Sequence, residues 1–219
     1  MTKTELKQII TKINKLLRSE NYEAGIELIK TYNEPEINKG VPKTIITVLK
    51  QKFLRERNYD IIDNGIKLAV QFSSLVNDQD IFDFLLIDTM KTLKEKDAAK
   101  SFNGSTPRQP YYDYGIWNLI GYLTPQADIK ECNIKSYHKR ASWTDYILER
   151  FPEGICNISS LEILKIVGKG ESDAPYREFE IPDAISNLKN LKEFSCNKLD
   201  SEELKKRVQT LLPNTQLNN

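Results

Sequence analysis

Apolar residues recur along the first half of the chain at three-and-four spacing, with lysine and glutamate between them. Leu6, Ile9, Ile10, Ile13, Leu16 and Leu17 form the first such run, which predicts an amphipathic helix. Ser19-Glu20-Asn21 breaks it. A second helix is expected over about Tyr22 to Tyr32, on Ile26, Leu28 and Ile29, with Asn33-Glu34-Pro35 as its stop. Gly40-Val41-Pro42-Lys43 opens a third, on Ile45, Ile46, Val48, Leu49, Phe53 and Leu54; Pro42 takes a first-turn position where its missing N–H costs nothing. A fourth is expected from about Tyr59 to Ser73 and a fifth from about Asp78 to Lys94.

Within this half, Leu17-Arg18-Ser19-Glu20-Asn21-Tyr22 matches Leu54-Arg55-Glu56-Arg57-Asn58-Tyr59, and Gly25-Ile26 and Gly65-Ile66 follow in turn. A period near forty with two helices per unit resembles the HEAT type of helical repeat. Two unrelated hairpins sharing a favourable break sequence would read the same way. Residues 100–115 carry glycine and two prolines without an apolar period, and read as a loop or hinge after a helical region at 1–99. The aromatic group Tyr111, Tyr112, Tyr114 and Trp117 is either the seam between two halves or an exposed anchor for a partner.

In residues 116–219 the pattern changes. Phe151-Pro152-Glu153-Gly154-Ile155-Cys156-Asn157-Ile158-Ser159-Ser160-Leu161-Glu162-Ile163-Leu164-Lys165-Ile166 is echoed thirty residues on. The second copy is Ile181-Pro182-Asp183-Ala184-Ile185-Ser186-Asn187-Leu188-Lys189-Asn190-Leu191-Lys192-Glu193-Phe194-Ser195-Cys196. This resembles the leucine-rich repeat, in its short bacterial form. The resemblance implies a strand in each unit with Leu161, Leu164, Ile166 and Leu191, Phe194, Cys196 pointing inward. Ile129, Cys132 and Ile134 give a third match, so a first strand is expected near Asp128 to Lys135, with Trp143 to Leu148 on its return segment. A helix at about Ser201 to Leu211 and a last partial unit ending at Leu217 close the array. The expected fold class is α/β: helical hairpin repeats followed by a short leucine-rich solenoid with a small parallel sheet. A single unit cannot bury its own apolar side, so the helical half is expected to cap one end of the stack.

The alternation of strand side chains sends the other residues outward. Those are Glu131, Asn133 and Lys135, then Ile163, Lys165 and Val167, then Glu193, Ser195 and Asn197. They are the candidate partner-binding residues. Residues 168–180 make this unit longer than the 20–29 usual for the family, as a contact loop or a plain solvated one.

Composition narrows the chemistry. The 219 residues hold 32 basic and 31 acidic side chains, net +1, without the overall basic excess typical of nucleic-acid binders. Lys3, Lys7, Lys12, Lys15, Arg18, Lys43, Lys50, Lys52, Arg55 and Arg57 nonetheless leave a nucleic-acid role for the helical half as an alternative. A structural subunit of a larger complex is another. Cys132, Cys156 and Cys196 are too scattered for a disulfide framework or zinc site and suit a reducing compartment. His138, the only histidine, follows the first expected strand and reads as an exposed turn, not a catalytic base. Gly168-Lys169-Gly170-Glu171-Ser172 lacks the spacing of a phosphate loop, and Asp78 to Asp83 departs from the calcium-loop pattern. The N-terminus has no signal-peptide core and no segment has membrane-span length. A cytoplasmic, non-enzymatic protein–protein interaction module without cofactor or metal is the expectation: an adaptor, regulator or inhibitor in a bacterial-type cytoplasm.

Overall fold

A computed structural model describes residues 1–32, 34–53, 58–76, 109–138, 145–146, 148, 150–169, 180–196, 199 and 201–218. The expected helix at 78–94, residues 100–108 and most of the 168–180 segment lie outside them. The molecule is α/β.

Helix α1 (Lys3–Arg18) begins at a capping box. The Thr2 hydroxyl accepts the Glu5 N–H, and the Glu5 carboxylate accepts the Thr2 N–H. Its apolar stripe buries Ile13 and Leu17, and α2 (Tyr22–Tyr32) packs against it with Gly25, Ile26 and Ile29 buried. Gly25 lets α2 lie close to α1: a β-carbon on it would lie 2.9 Å from Leu17 Cδ2, so the Leu17 side chain would have to shift.

Helix α2 ends at Tyr32, as expected before Asn33-Glu34-Pro35, and Pro35 is also a start. Pro35 takes the first turn of a short helix α3 (Pro35–Gly40), where proline's fixed φ favours helix entry. Helix α4 (Pro42–Val48) follows at the expected place but widens into a π turn over Leu49–Phe53. Helix α5 (Tyr59–Val76) matches its expected start and runs three residues further.

The hinge expectation for 100–115 is corrected where the chain is described, because helix α6 (Gln109–Leu123) already occupies its last residues. Pro110 sits in the first turn, and the following turns bury Tyr114, Ile116, Trp117, Leu119 and Ile120. Burial of that aromatic and aliphatic surface, about 1.5–3 kcal/mol per large side chain, outweighs the weak local signal.

After α6 come β1 (Glu131–His138), β2 (Asp145–Tyr146), β3 (Ile163–Lys169), β4 (Glu193–Cys196), helix α7 (Glu202–Leu211) and β5 (Gln216–Asn218). The sheet order is β2-β1-β3-β4-β5, with β1, β3, β4 and β5 parallel and β2 antiparallel to β1. His138 therefore ends a strand, in register with Asp145, rather than lying in a turn. Asp145 and Tyr146, expected on a return segment, belong to the sheet's short outer strand.

Before β3 and before β4 the chain makes one 3-10 turn, Glu153–Asn157 and Asp183–Asn187. The same hydrogen bonds recur thirty residues apart. The N–H groups of Ile155, Ile158 and Leu161 donate to Pro152, Ile155 and Ile158, as those of Ile185, Leu188 and Leu191 do to Pro182, Ile185 and Leu188. Buried apolar residues form one continuous cluster from Ile13 in α1 to Leu212 after α7.

Candidate functional site

Four parallel strands in register put their side chains in rows across the sheet. Cys132, Leu164, Phe194 and Leu217 form one inward row, and Ile134, Ile166 and Cys196 the next. Cys132, Leu164, Phe194 and Cys196 are fully buried, with Leu161 and Leu191 at the foot of their strands. Polar side chains tie together the segments that precede neighbouring strands. The Ser160 hydroxyl accepts the Ile129 N–H and lies 2.8 Å from the Ala127 carbonyl oxygen. Asn190 Nδ2 donates to the Ser159 carbonyl at 2.8 Å, and the buried Thr215 hydroxyl to that of Leu191 at 2.8 Å.

The opposite rows form the candidate docking face. Glu131, Ile163, Glu193 and Gln216 stand side by side, and Asn133, Lys165, Ser195 and Asn218 form the row beyond. Glu131 is exposed; Asn133, Ile163, Lys165 and Glu193 are half-buried. The face is knitted by its own polar groups. Glu193 Oε1 pairs with Lys165 Nζ at 3.2 Å and accepts from Ser195 Oγ at 3.2 Å and Asn218 Nδ2 at 3.1 Å. The hydrogen bond from Lys165 is the chief reason the Glu193 carboxyl sits below the ordinary glutamate range. At the foot of the strands Lys130, Glu162 and Lys192 alternate in sign. Glu162 lies 3.6 Å from Lys130 Nζ and pairs closely with Lys192, whose hydrogen bond lowers the Glu162 pKa most.

Of the nine sequence-derived contact residues, Ser195 is corrected. It is only 7% exposed, because a short hydroxyl side chain beside Lys165 and Glu193 sinks beneath their longer ones. Lys135 and Val167 pair in register, but their side chains lie outside the described residues, as does all of Asn197.

A second constellation was visible in the sequence only through its tyrosines Tyr111 and Tyr114. Tyr114 Oη donates to Asp63 Oδ1 at 2.7 Å, while Arg150 Nη1 reaches Asp63 Oδ2 at 3.2 Å and Asp60 Oδ1 at 2.9 Å. The Arg150 guanidinium lies 5.3 Å from the Tyr59 ring centre. Tyr59 meets Tyr111 and Tyr114, each with centroids 4.8 Å apart. Burial, then the bond to Asp63, pushes the Tyr114 hydroxyl far above the usual tyrosine range. The group joins α5, α6 and the chain before the first 3-10 turn, so Tyr111 and Tyr114 belong to a seam. Asp63 and Arg150 are 87 positions apart, a separation no local pattern bridges.

Cys132, Cys156 and Cys196 are buried and form no disulfide. Burial, then Glu153 nearby, pushes the Cys156 thiol up to about 12, which leaves it protonated and unreactive at neutral pH. Among the described residues no group of three or more His, Cys, Asp or Glu side chains is arranged to hold a metal ion, and no helix is long and apolar enough to cross a membrane. No family model, curated protein or solved structure matches the chain.

Proposed function

We propose that the chain is a non-enzymatic protein–protein recognition module whose C-terminal part is a short leucine-rich repeat stack. In this reading HEAT-type helix pairs cap the stack, and a partner protein docks on the open face of the parallel sheet. The observation that carries the reading is the register. It sets Glu131, Ile163 and Glu193 in one row and Asn133 and Lys165 in the next, on a sheet whose other face is core.

Such a surface is preorganised, so binding loses little backbone entropy. Ile163 is an apolar residue flanked by Glu131, Lys165 and Glu193, the arrangement in which burying one aliphatic side chain contributes most. Lys165 and Glu193 already pair with each other, so a partner gains chiefly from Ile163 and from the exposed Glu131 at its side.

Affinity capture from the native host, with mass spectrometry, tests this. Ile163→Asp combined with Glu131→Lys is expected to keep the thermal midpoint within a few degrees and to lose the captured protein. Capture at wild-type level by that variant would discard the strand-face site.

A further inference from the structure

We propose that the groove between α1 and α3 is a second docking site, for an acidic amphipathic helix of a partner protein. It encloses about 470 Å³ and is lined by Lys3, Leu6, Lys7, Ile10 and Thr11 on α1 and by Glu36 on α3. It is separate from the strand face and does not rest on it.

The floor is apolar. Leu6 and Ile10 lie one turn apart and are only half-buried, although Ile13 and Leu17 further along α1 are fully enclosed. Gly40 backs this floor: a β-carbon on it would stand 3.1 Å from Ile10 Cγ2, so a larger residue there would press Ile10 by a few tenths of an ångström. Leu6 and Ile10 are separated by about 6 Å along the axis, the spacing at which an incoming helix presents its own residues at i and i+4.

Charge selects the flanks of the visitor. Lys3 and Lys7 are exposed and stand one turn apart beside the floor. The one acidic residue of α1, Glu5, is engaged in the Thr2 capping box. Carboxylates on the flanks of an apolar stripe would meet Lys3 and Lys7 while the stripe covers Leu6 and Ile10. A phosphodiester backbone would gain nothing from Leu6 and Ile10, and Glu36 on the α3 wall restricts the visitor's carboxylates to the Lys3 and Lys7 side. An anionic membrane would receive no inserted stripe, since the central apolar residues of α1 are already core.

A fluorescent synthetic peptide tests the proposal: leucines at three-and-four spacing, flanked by glutamates. A control peptide of the same composition has the leucines scrambled. With the full chain, the ordered peptide is expected to bind at least about tenfold more tightly than the scrambled one. K3E/K7E and Ile10→Gln should each weaken the ordered peptide by about tenfold or more, whereas K12E/K15E should change it by less than about threefold. Should Ile10→Gln fail to fold, K3E/K7E carries the test, because both lysines are exposed. Equal binding of the two peptides, or equal loss in K12E/K15E, would overturn the groove. So would a short DNA duplex or phosphatidylserine vesicles binding more tightly than the ordered peptide through the same lysines.

Discussion

Gly121 of α6 and Gly154 of the first 3-10 turn cross backbone to backbone. A β-carbon on Gly121 would lie 1.7 Å from the Gly154 carbonyl oxygen, and one on Gly154 would lie 2.6 Å from Asn118 Cα. Asn118, buried one turn before Gly121, accepts the Gly154 N–H through Oδ1 at 2.7 Å. Here α6 stands directly against the first turn.

Gly121→Ala separates two opposed effects. Helix propensity alone would favour alanine by about 1 kcal/mol. The overlap with Gly154 demands a backbone shift costing about 1–3 kcal/mol or more. Net destabilisation is expected in urea unfolding; a more stable variant would mean that α6 does not touch the turn.

Leu164 and Ile163 are chain neighbours on opposite faces of β3. Leu164→Ala is expected to cost about 2–5 kcal/mol as a core deletion. Ile163→Ala, at a half-exposed position, should cost less than about 1.5 kcal/mol. Equal costs from chemical denaturation would contradict the alternation of the strand.

The seam around Asp63 rests on one carboxylate serving Tyr114 and Arg150. Asp63→Ala leaves a partly buried tyrosine hydroxyl without its acceptor and is expected to cost about 1–3 kcal/mol. Tyr114→Phe in the Asp63→Ala background should then cost much less than Tyr114→Phe alone. Additive costs in that double-mutant cycle would show that the two residues do not interact.

Glu193 supplies a pH signature. Its carboxyl is held below the ordinary range by the hydrogen bond from Lys165, so its contribution to stability is present above the unfolded-state pKa. That contribution is lost as pH falls through the lower folded-state value. Thermal midpoints followed from pH 7 down to pH 3 should drop less steeply in Glu193→Gln than in the wild type, with the difference confined to acid pH. Parallel curves would mean that Lys165, Ser195 and Asn218 do not favour the charged form.

The inward triplets were legible in the sequence because strand alternation is local, and a thirty-residue echo fixes which positions align. Leu161, Leu164 and Ile166 land beside Leu191, Phe194 and Cys196 for that reason. The start of α6 was not legible, since Pro110 reads equally as a break or as a first turn and long-range burial of Trp117 decides. Pro35 was legible as part of the stop after α2 but not as the first turn of α3. Gly121 facing Gly154, and Asp63 facing Arg150, depend on how distant segments cross. Ser195 followed the alternation rule, but its burial comes from the length of its neighbours' side chains.

Photo-crosslinking with benzoylphenylalanine at single positions, in the native host, addresses recognition through the sheet most directly. Substituted at Glu131 or Ile163, the probe is expected to give one shared protein adduct; at Glu203, on the exposed side of α7, it should give none of that species. An adduct from Glu203 with none from Glu131 or Ile163 would contradict docking on the strand face.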